Sequence, residues 1–431
     1  MYILYNIILW LALPFVIGYH LYRSVSRGRR SAFAERFGLL ATDRLSAVVG
    51  KETIWVHAVS VGETIAVKPL LKALKETFPD WKIVLSNVTE TGRSIGEKLA
   101  EADLCIYFPF DYPFAVKGLL EKVNPSILIV METEIWPNFL RIARRMGIPA
   151  VMVNGRISDR SFGRYLKFKR FFRPVLANFT AFCMQTGEDA RRIAAIGAEP
   201  DRVHVTKNLK YDLPMASSSP EQRGELRKSY RIPGGALVFT AGSTHAGEEE
   251  IVVAAYKSLL SQGRDCFMIL APRHPERAGQ VAEILKKAGV SFTIRSGLDA
   301  RSEEFAPGEV LLVDTVGELT RLYSFSDVVF VGGSLVPTGG HNVLEPAACG
   351  VPVIFGPHMG NFREIAALFL KWGGGVQVKN GEELEVYLQA LLADDERRAA
   401  MGKNGARLLL DNSGSTARHI EVIRKLVRSE E

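Results

Sequence analysis

Residues 53–88 read TIWVHAVSVGETIAVKPLLKALKETFPDWKIVLSNV, in which two apolar runs flank a segment of different period. The flanking runs, 53–59 and 82–88, are rich in β-branched residues and are typical of buried strands. Between them, apolar residues recur at the spacing of one helix face: Val67, Leu70, Leu71, Leu74 and Phe78. A strand, a helix and a second strand in this order predict a βαβ unit, and hence a parallel sheet covered by helices.

The same alternation continues along the chain and divides it into two halves. Further strand-like runs are found in both halves, at 126–132, 149–155, 181–186, 236–242, 266–272, 310–316, 327–333 and 352–356. A polar stretch between the halves predicts a linker at 212–230. We therefore expect two Rossmann-like α/β domains facing across a cleft, at 31–211 and 231–431, behind an N-terminal anchor at 1–30.

The composition limits the classes of partner. A chain of 431 residues is long enough for two cores, and its net charge of +7 suits anionic lipids or phosphorylated substrates. Because the basic residues are dispersed, nucleic acid is not expected as a partner. Four cysteines lie in separate apolar runs, which indicates buried thiols: Cys105, Cys183, Cys266 and Cys349. The sequence lacks G-x-G-x-x-G, a P-loop, D-x-D and metal-spaced Cys/His sets, so no cofactor and no metal are expected.

The N-terminal segment indicates a membrane. Residues 1–21 carry no formal charge and are long enough to cross a hydrocarbon layer. Four arginines follow this segment: Arg23, Arg27, Arg29 and Arg30. They favour a single-pass anchor with the rest of the chain on the cytoplasmic side. An amphipathic, monotopic anchor is the alternative, which Pro14 and Asn6 favour.

Polar clusters directly follow many of the predicted strands. They occupy 60–63, 132–134, 154–158, 242–245, 272–274, 314–318 and 332–345. In doubly wound sheets, ligands bind beyond the carboxyl ends of the strands, so these clusters predict a substrate cleft.

The segment 332–345, GGSLVPTGGHNVLE, predicts nucleotide binding. Four glycines allow backbone amides to approach a phosphate: Gly332, Gly333, Gly339 and Gly340. His341 and Asn342 open the following helix, whose N-terminus is a ready anion site. Glu345, one turn into that helix, is positioned to accept both hydroxyls of a ribose.

Other segments have two interpretations each. In GSTHAGEEE (242–250), Glu248 serves either in helix capping or near a bound phosphate or sugar. Arg273 suits a phosphate or a base carbonyl better than a surface salt bridge, since it follows a strand. The basic and aromatic run 164–174 is either a solvated helix face or a surface that meets lipid phosphates. Glu63 is either an acidic residue that the helix dipole keeps ionised or a base held over a substrate.

Taken together, the motifs resemble the 3-deoxy-D-manno-octulosonic acid (Kdo) transferases of Gram-negative lipopolysaccharide assembly, which have the two-domain GT-B glycosyltransferase fold. The matching segments run in order through nearly the whole chain: HAVSVGE, METEIWPN, NGRISDRS, NLKYD, GSTHAGEEE, PRHPER, DTVGEL and GGSLVPTGGHNVLEPAACGVPVIFGPH. The ordered series is specific, although no single segment is.

The resemblance implies an inverting transfer of Kdo from CMP-Kdo to the lipid A precursor (lipid IVA) at the cell inner membrane. By motif match, Glu63 would be the general base, and Glu132 and Lys210 would support the transition state. Nine residues would hold the CMP of the donor: Pro272, Arg273, Val316, Gly317, Glu318, Asn342, Val343, Leu344 and Glu345. One departure from the family pattern is Lys207, where a glycine is expected before NLKYD.

Two other classes of function remain open. One is another GT-B enzyme that uses a UDP-sugar, either a glycosyltransferase or an epimerase. The anchor and the basic charge argue against the epimerase. The other is a membrane-tethered nucleotide-binding scaffold. A scaffold needs no base, so the combination of Glu63, Glu132 and Lys210 favours an enzyme. Inversion in one displacement requires a base opposite the leaving group, and this favours the catalytic interpretation of Glu63.

Overall fold

The computed structural model describes residues 1–27, 32–216 and 218–428, which form two compact units. The first unit comprises Met1–Asp212 and Ser413–Glu431, and the second comprises Leu213–Asn412. Arg29 and Arg30 lie outside the described residues, as do the side chains of Arg23 and Arg27. The sidedness that these arginines favour therefore stays a prediction.

Ten of the fourteen strands in the described residues follow the predicted runs. In chain order the strands are β1 Thr53–His57, β2 Lys82–Asn87, β3 Leu104–Tyr107, β4 Ile127–Met131, β5 Ala150–Gly155, β6 Ala181–Met184, β7 Val203–Val205, β8 Leu237–Thr244, β9 Cys266–Pro272, β10 Phe292–Ile294, β11 Val310–Leu312, β12 Val328–Val331, β13 Val353–Phe355 and β14 Gly375–Gln377. Of these, β3, β7, β10 and β14 were not predicted.

Helices connect nearly all of these strands. They are α1 Tyr2–Arg27, α2 Phe33–Arg36, α3 Thr42–Leu45, α4 Val61–Ala66, α5 Lys68–Thr77, α6 Glu90–Gly96, α7 Pro113–Val123, α8 Pro137–Arg145, α9 Asp159–Lys167, α10 Lys169–Leu176, α11 Gly187–Ile196, α12 Pro220–Ser229, α13 Glu249–Ser261, α14 Ala278–Lys287, α15 Leu319–Tyr323, α16 Leu344–Ala348, α17 Arg363–Trp372, α18 Gly381–Ala393, α19 Asp395–Asn412 and α20 Ser415–Arg428.

Each unit is built on a parallel sheet. Over the described residues, the first sheet has seven strands in the order β3-β2-β1-β4-β5-β6-β7, and the second has seven in the order β10-β11-β9-β8-β12-β13-β14. Successive residues of β1 enter cores on opposite faces, since Trp55 packs in one and Ile54 and Val56 in the other. Both faces are therefore buried, which explains why β1 is buried at every residue and mostly apolar rather than alternating. The prediction of two parallel α/β domains is confirmed.

The division between the units differs from the predicted one at both ends of the second unit. The assignment of 231–431 to a single domain is wrong for α20, because Ile420 and Ile423 complete the core on one face of the first sheet. The stretch predicted as a linker contains α12, which starts with a capping box between Ser219 and Gln222. Arg227 of α12 forms an ion pair with Asp327 of the second unit, so the helix belongs to that unit.

The N-terminal segment forms a long apolar helix, as predicted. Within the described part of the chain, α1 is the one helix long and apolar enough to cross a membrane, with a mean hydropathy of 1.8 over Tyr2–Tyr19. Such a helix is compatible with a membrane anchor. The four cysteines are all buried and unpaired, as their sequence contexts predict.

Candidate functional site

One candidate site lies in the first unit, where its sheet changes winding direction. β1 pairs with β2 on one side and with β4 on the other. The loops after β1 and β4 diverge at such a switch point and leave a crevice, which is where doubly wound sheets bind ligands. Glu63 lies just beyond β1, and Glu132 directly follows β4. The topology of the sheet thus brings these two predicted residues to the same crevice.

The start of α4 holds the Glu63 side chain. Ser60 has extended backbone geometry, and its hydroxyl accepts a long hydrogen bond from the Glu63 amide (3.5 Å). In return, the Glu63 carboxylate accepts hydrogen bonds from the Val59 amide (2.9 Å) and the Ser60 hydroxyl (3.0 Å). This reciprocal arrangement is a variant of the capping box. A carboxylate has about four acceptor sites, so capping leaves Glu63 able to accept a further proton.

The surroundings of Glu63 tune its acidity. Burial raises the pKa of Glu63 to about 7; the Val59 hydrogen bond lowers it, and the charges of Glu132 and Glu134 raise it. With a pKa of about 7, Glu63 is ionised only in part near neutral pH, and our expectation that the helix dipole keeps it ionised stays a prediction. A pKa near the working pH is what general base catalysis favours, since the group then both accepts and releases protons readily.

Glu132 has an unusual backbone conformation. Its φ of +52° lies in the left-handed region, which costs a residue other than glycine roughly 1–3 kcal/mol. Its amide donates to the carbonyl of Val153 in β5 (2.9 Å), and this bond fixes the turn. Burial raises the pKa of nearby Glu134, and the charge of Glu132 adds to the rise. Three acidic side chains thus share the crevice beyond β4.

Lys210 comes from a more distant strand but returns towards the same region. It follows β7, an edge strand three positions from β4. The amide of Leu209 donates to the Asn154 side chain (3.0 Å) at the end of β5, the strand next to β4. The Lys210 amide donates to the Asn208 side chain (3.0 Å), which fixes the short turn. These bonds hold the Lys210 backbone beside the strand that neighbours Glu132.

The backbone at Lys207 explains why a glycine is expected there. Its φ is +67°, a conformation that glycine adopts at no steric cost. The turn forms with lysine in this position, and the Lys207 carbonyl accepts a hydrogen bond from the Ser415 hydroxyl (3.0 Å). The departure from the family pattern therefore leaves the turn before Lys210 in place.

Sequence reasoning missed the helix that supports this loop. Asp212 caps α20 by accepting hydrogen bonds from the amides of Gly414 (2.7 Å), Ser415 (3.1 Å) and Thr416. His419 of α20 accepts one from the Asn154 amide (3.0 Å), and burial lowers the His419 pKa to about 4, which keeps the imidazole neutral. The C-terminal helix thus fixes both ends of the Lys210 loop. Asp212 was visible in NLKYD, but its remote partner was not.

A second candidate site lies in the second unit, at the carboxyl-terminal edge of its sheet. The strands β11, β9, β8 and β12 are adjacent and parallel, so their carboxyl ends meet at this edge. The residues expected to hold CMP follow β9 at 272–273, β11 at 316–318 and β12 at 342–345. The sheet therefore brings all nine to the same edge.

Arg273 interacts electrostatically with both His341 and Glu345 at this edge. Burial raises the pKa of Glu345, whereas a hydrogen bond from Asn342 (3.1 Å) and the Arg273 charge lower it. Burial, with the Arg273 charge, lowers the pKa of His341 to about 4, so this imidazole is neutral. The Nε2 atoms of His341 and His245 are 2.8 Å apart, which requires one to donate and the other to accept.

The glycine-rich loop differs from our expectation. The amide of Gly332 donates to the carbonyl of Gly242 (2.8 Å), and the amide of Gly340 donates to the carbonyl of Gly333 (2.7 Å). The amide of Gly333 donates to the carboxylate of Glu248 (2.7 Å). The prediction that these amides meet a phosphate is therefore wrong for Gly332, Gly333 and Gly340. Glu248 also accepts from the His245 amide (2.9 Å), so backbone donors of two loops occupy its carboxylate. Neither interpretation of GSTHAGEEE is thereby supported, since α13 starts without a side-chain cap.

The other residues predicted to bind CMP present mainly main-chain groups to a ligand. Val316 is 85% exposed, and Gly317 has a φ of +91°. The carboxylate of Glu318 is occupied by Arg295 (2.9 Å), the Tyr230 hydroxyl (3.1 Å) and Thr315. The side chains of Pro272, Val343 and Leu344 are buried.

Within 1–27, 32–216 and 218–428, no group of three or more His, Cys, Asp or Glu side chains is arranged to hold a metal ion.

Comparison with known proteins extends over nearly the whole chain. The family model described as 3-deoxy-D-manno-octulosonic-acid transferase (kdotransferase) matches residues 31–213, and that of glycosyl transferases group 1 matches 303–408. The 3-deoxy-D-manno-octulosonic acid transferase of Haemophilus influenzae is 34% identical over 423 residues, covering 97% of each chain.

Two solved structures are also similar. The C-terminal CMP-Kdo binding domain of WaaA from Acinetobacter baumannii is 33% identical, covering 44% of this chain and 96% of that domain, with a TM-score of 0.41. The UDP-GlcNAc 2-epimerase of Neisseria meningitidis, bound to UDP-GlcNAc, is 14% identical with a TM-score of 0.57, covering 87% of this chain and 100% of that one. The second likeness shows that the fold is shared.

Proposed function

Since the chain belongs to the 3-deoxy-D-manno-octulosonic acid (Kdo) transferase family, we propose that it transfers Kdo from CMP-Kdo to the lipid A precursor in lipopolysaccharide core assembly. The protein is a glycosyltransferase of GT-B fold, and the resemblance of its motifs to this family is confirmed. A UDP-sugar epimerase shares the fold at 14% identity, whereas the family relationship is with Kdo transferases.

The observation that best supports catalysis by a general base is the environment of Glu63. This buried carboxyl group has a pKa of about 7 and lies at the switch point of the first sheet. In the proposed reaction, an acceptor hydroxyl gives its proton to Glu63 while its oxygen attacks the anomeric carbon of Kdo. The bond from that carbon to the phosphate oxygen of CMP breaks, and CMP leaves with the electron pair. Attack opposite the leaving group inverts the anomeric centre.

Glu132 and Lys210 are proposed to stabilise the transition state. Glycosyl transfer passes through a state with positive charge on the sugar, which a neighbouring carboxylate such as Glu132 stabilises. The departing phosphate gains negative charge, which the ammonium group of Lys210 offsets. Since CMP carries a single phosphate, cations and amides of the chain are sufficient for this role.

The second unit is proposed to hold CMP at the edge that carries Arg273 and Glu345. A guanidinium group pairs well with a phosphate, so Arg273 suits the phosphate of CMP. Glu345 suits the ribose hydroxyls, and Arg273 lowers its pKa towards the ionised form that accepts hydrogen bonds. The exposed main chain at Val316 and Gly317 suits the base.

The reaction is tested by incubating the purified full chain with CMP-Kdo and the lipid A precursor. We expect release of CMP together with a lipid that is heavier by one or more Kdo residues, measured by mass spectrometry. UDP-GlcNAc in place of CMP-Kdo is the control for a UDP-sugar enzyme. Binding of CMP without any heavier lipid would support the scaffold alternative instead.

Glu345→Ala is expected to weaken CMP binding. Two ribose hydroxyls lose a charged acceptor, which is worth about 1.5–3 kcal/mol for a hydrogen bond to a charged group. Isothermal titration calorimetry with CMP measures the loss. Glu382→Ala, at an exposed position of the same unit, is the matched control and should leave the affinity unchanged. Equal CMP affinities for the two variants would remove Glu345 from the nucleotide site.

For the location, we propose the cytoplasmic face of the inner membrane, with α1 as the membrane-binding element. Removing residues 1–30 is expected to release the protein from membranes washed with high salt, while the full chain stays bound. The truncated chain loses several contacts of α1, among them the Tyr5 hydrogen bond to the buried Asp111 carboxylate, and should be less stable to unfolding by at least about 1.5–3 kcal/mol. Urea unfolding checks this loss of stability, and a truncated chain that stays with the membrane would contradict the assignment of α1.

A further inference from the structure

The first ten residues of α1 pack onto the first unit along one helix face. Hydrogen bonds join them: the Tyr5 hydroxyl donates to Asp111 (2.9 Å), the Asn138 amide group donates to the Asn6 side chain (2.6 Å), and the Tyr112 hydroxyl donates to the Leu9 carbonyl (2.8 Å). The Tyr2 hydroxyl also accepts from the Asn178 side chain (2.9 Å). Trp10 continues the same face and packs against the rings of Tyr112 and Phe114. Residues 2, 5, 6, 9 and 10 follow the 3.6-residue period of a helix face.

Asp111 and Asn138, which bind α1, are part of the folded core. Asp111 is 4% exposed, and its carboxylate caps α8 by accepting hydrogen bonds from the amides of Asn138 (2.9 Å) and Phe139 (2.8 Å). Tyr5 donates to this same carboxylate, so one buried group joins α1 to the start of α8. Burial raises the pKa of Asp111 to about 7. Asn138 is 2% exposed and also donates to the Asp111 carbonyl (2.6 Å). These contacts make α1 an integral element of the first unit.

Such packing is incompatible with a helix that crosses the bilayer. Tyr2–Tyr19 measures about 27 Å, close to the ~30 Å of a hydrocarbon layer. In a spanning helix, Tyr5 and Asn6 would lie in the half of the layer farther from the folded units. Asp111 and Asn138 would have to follow them, as would the Arg141 guanidinium, which lies 4.2 Å from the Tyr2 ring centre. Charged groups in that position are strongly disfavoured.

The opposite face of α1 is apolar and exposed. It consists of Ile3, Leu4, Ile7, Ile8, Leu11, Phe15, Tyr19 and Tyr22, each at least half exposed. We call these eight residues the lipid face. Beside it, Tyr5 contacts the ring of Phe171 in α10, next to the turn between α9 and α10. That turn exposes Phe168 between Lys167 and Lys169, followed by Arg170.

We propose that α1 lies in the plane of one leaflet and does not span the membrane. The bonds of Tyr5 and Asn6 lock it to the first unit, the lipid face enters the acyl region, and the basic turn meets anionic headgroups. The occupant of this surface is a lipid bilayer, because a continuous apolar stripe flanked by exposed cations matches the chemistry of an anionic leaflet. This proposal rests on the membrane location proposed above and is independent of the reaction.

Crosslinking in native membranes tests the contact directly. A chain with Asn6→Cys and Asn138→Cys is expected to form an intrachain disulfide on oxidation in inner-membrane vesicles, because these two side chains are in hydrogen-bond contact. The matched control pairs Ile7→Cys with Asn138→Cys, since Ile7 is one residue away but on the lipid face. A first pair that stays as reduced as the control would overturn the proposal. An interchain disulfide through Ile7→Cys would also overturn it, by showing a second chain on the lipid face.

Sidedness provides a second test, which does not depend on substituting the buried Asn138. The full chain receives a short polar N-terminal extension that carries a cysteine, since its own four cysteines are buried. A membrane-impermeant maleimide is expected to label it in inverted vesicles and not in intact spheroplasts. Labelling in spheroplasts, or none in inverted vesicles, would contradict a helix in the cytoplasmic leaflet. Both tests are read without measuring Kdo transfer, so a failed proposal here is distinguishable from a failed function.

The basic turn is tested with the purified full chain and lipid vesicles. Changing Lys167, Lys169 and Arg170 together to Gln is expected to weaken binding to phosphatidylglycerol vesicles at least tenfold. Binding to phosphatidylcholine vesicles, which depends on the lipid face, should change less than twofold. Equal losses on both kinds of vesicle, or no loss on either, would remove the turn from the proposed surface.

Discussion

A Glu63→Gln enzyme is expected to lose Kdo transfer by roughly 10²–10⁴-fold while it keeps its fold and its affinity for CMP. The amide has the size of the carboxylate but cannot accept a proton from the acceptor. Its remaining oxygen still accepts the hydrogen bond from Val59, and its NH₂ group can donate to the Ser60 hydroxyl. Burial raises the Glu63 pKa to about 7, so the site tolerates a neutral group. We therefore expect a change of less than about 1 kcal/mol in unfolding free energy.

The rate should also depend on pH in a way that Glu63 explains. Only the ionised carboxylate accepts a proton, so kcat/KM of the unsubstituted enzyme should rise as the pH increases through about 7. Glu63→Gln should abolish this limb of the profile. Glu76→Gln, on an exposed part of α5 in the same unit, is the matched control and should behave like the unsubstituted enzyme. Transfer by Glu63→Gln at the unsubstituted rate would leave Glu63 with the capping role alone.

The sequence predicted the interior of both sheets but not their edges. The runs that formed β1 and β9 are mostly apolar and buried at every residue, because both of their faces are covered. The strands that sequence reasoning missed are β3, β7, β10 and β14, which are the edge strands of the two sheets. They have three or four residues each, and His204 and Val205 in β7 are exposed. A short edge strand lacks the continuous apolar run on which recognition depends.

The site was predictable where its chemistry is local in sequence. Glu132 directly follows the apolar residues of β4, and Glu63 lies in the short helix that starts just after β1, so their positions near strand ends could be inferred. The contacts that hold these residues in place join segments distant in sequence, and they could not be inferred. α20 returns to the first unit and holds the Lys210 loop through Asp212, and the 2.8 Å contact of His245 with His341 joins two loops that follow neighbouring strands. Spacing along the chain contains no signal for such contacts.

Glu248 holds the glycine-rich loop through contacts that resemble those of a bound phosphate. Its carboxylate is fully buried and accepts four backbone hydrogen bonds, from Gly333 (2.7 Å), Ser334 (2.9 Å), Leu335 (2.8 Å) and His245 (2.9 Å). Successive amides that converge on one anion are the usual form of a phosphate-binding nest. In this protein the anion is part of the chain, so the glycine-rich loop is shaped before any nucleotide binds.

Glu248→Gln should therefore destabilise the second unit by about 3–5 kcal/mol, although it is nearly isosteric. The amide keeps one oxygen for two of the four donors, and its NH₂ group then faces the other two, which become buried and unsatisfied. Calorimetric unfolding should show the loss, and hydrogen exchange at residues 333–335 should be at least tenfold faster, because the loop is released. Glu250→Gln, two residues along and exposed, is the matched control and should change neither quantity. If Glu248→Gln matched this control in both measurements, the four bonds would not be what holds the loop. CMP affinity should fall with Glu248→Gln as well, even though Glu248 is not expected to touch CMP, because His341 and Glu345 follow the loop that the carboxylate holds.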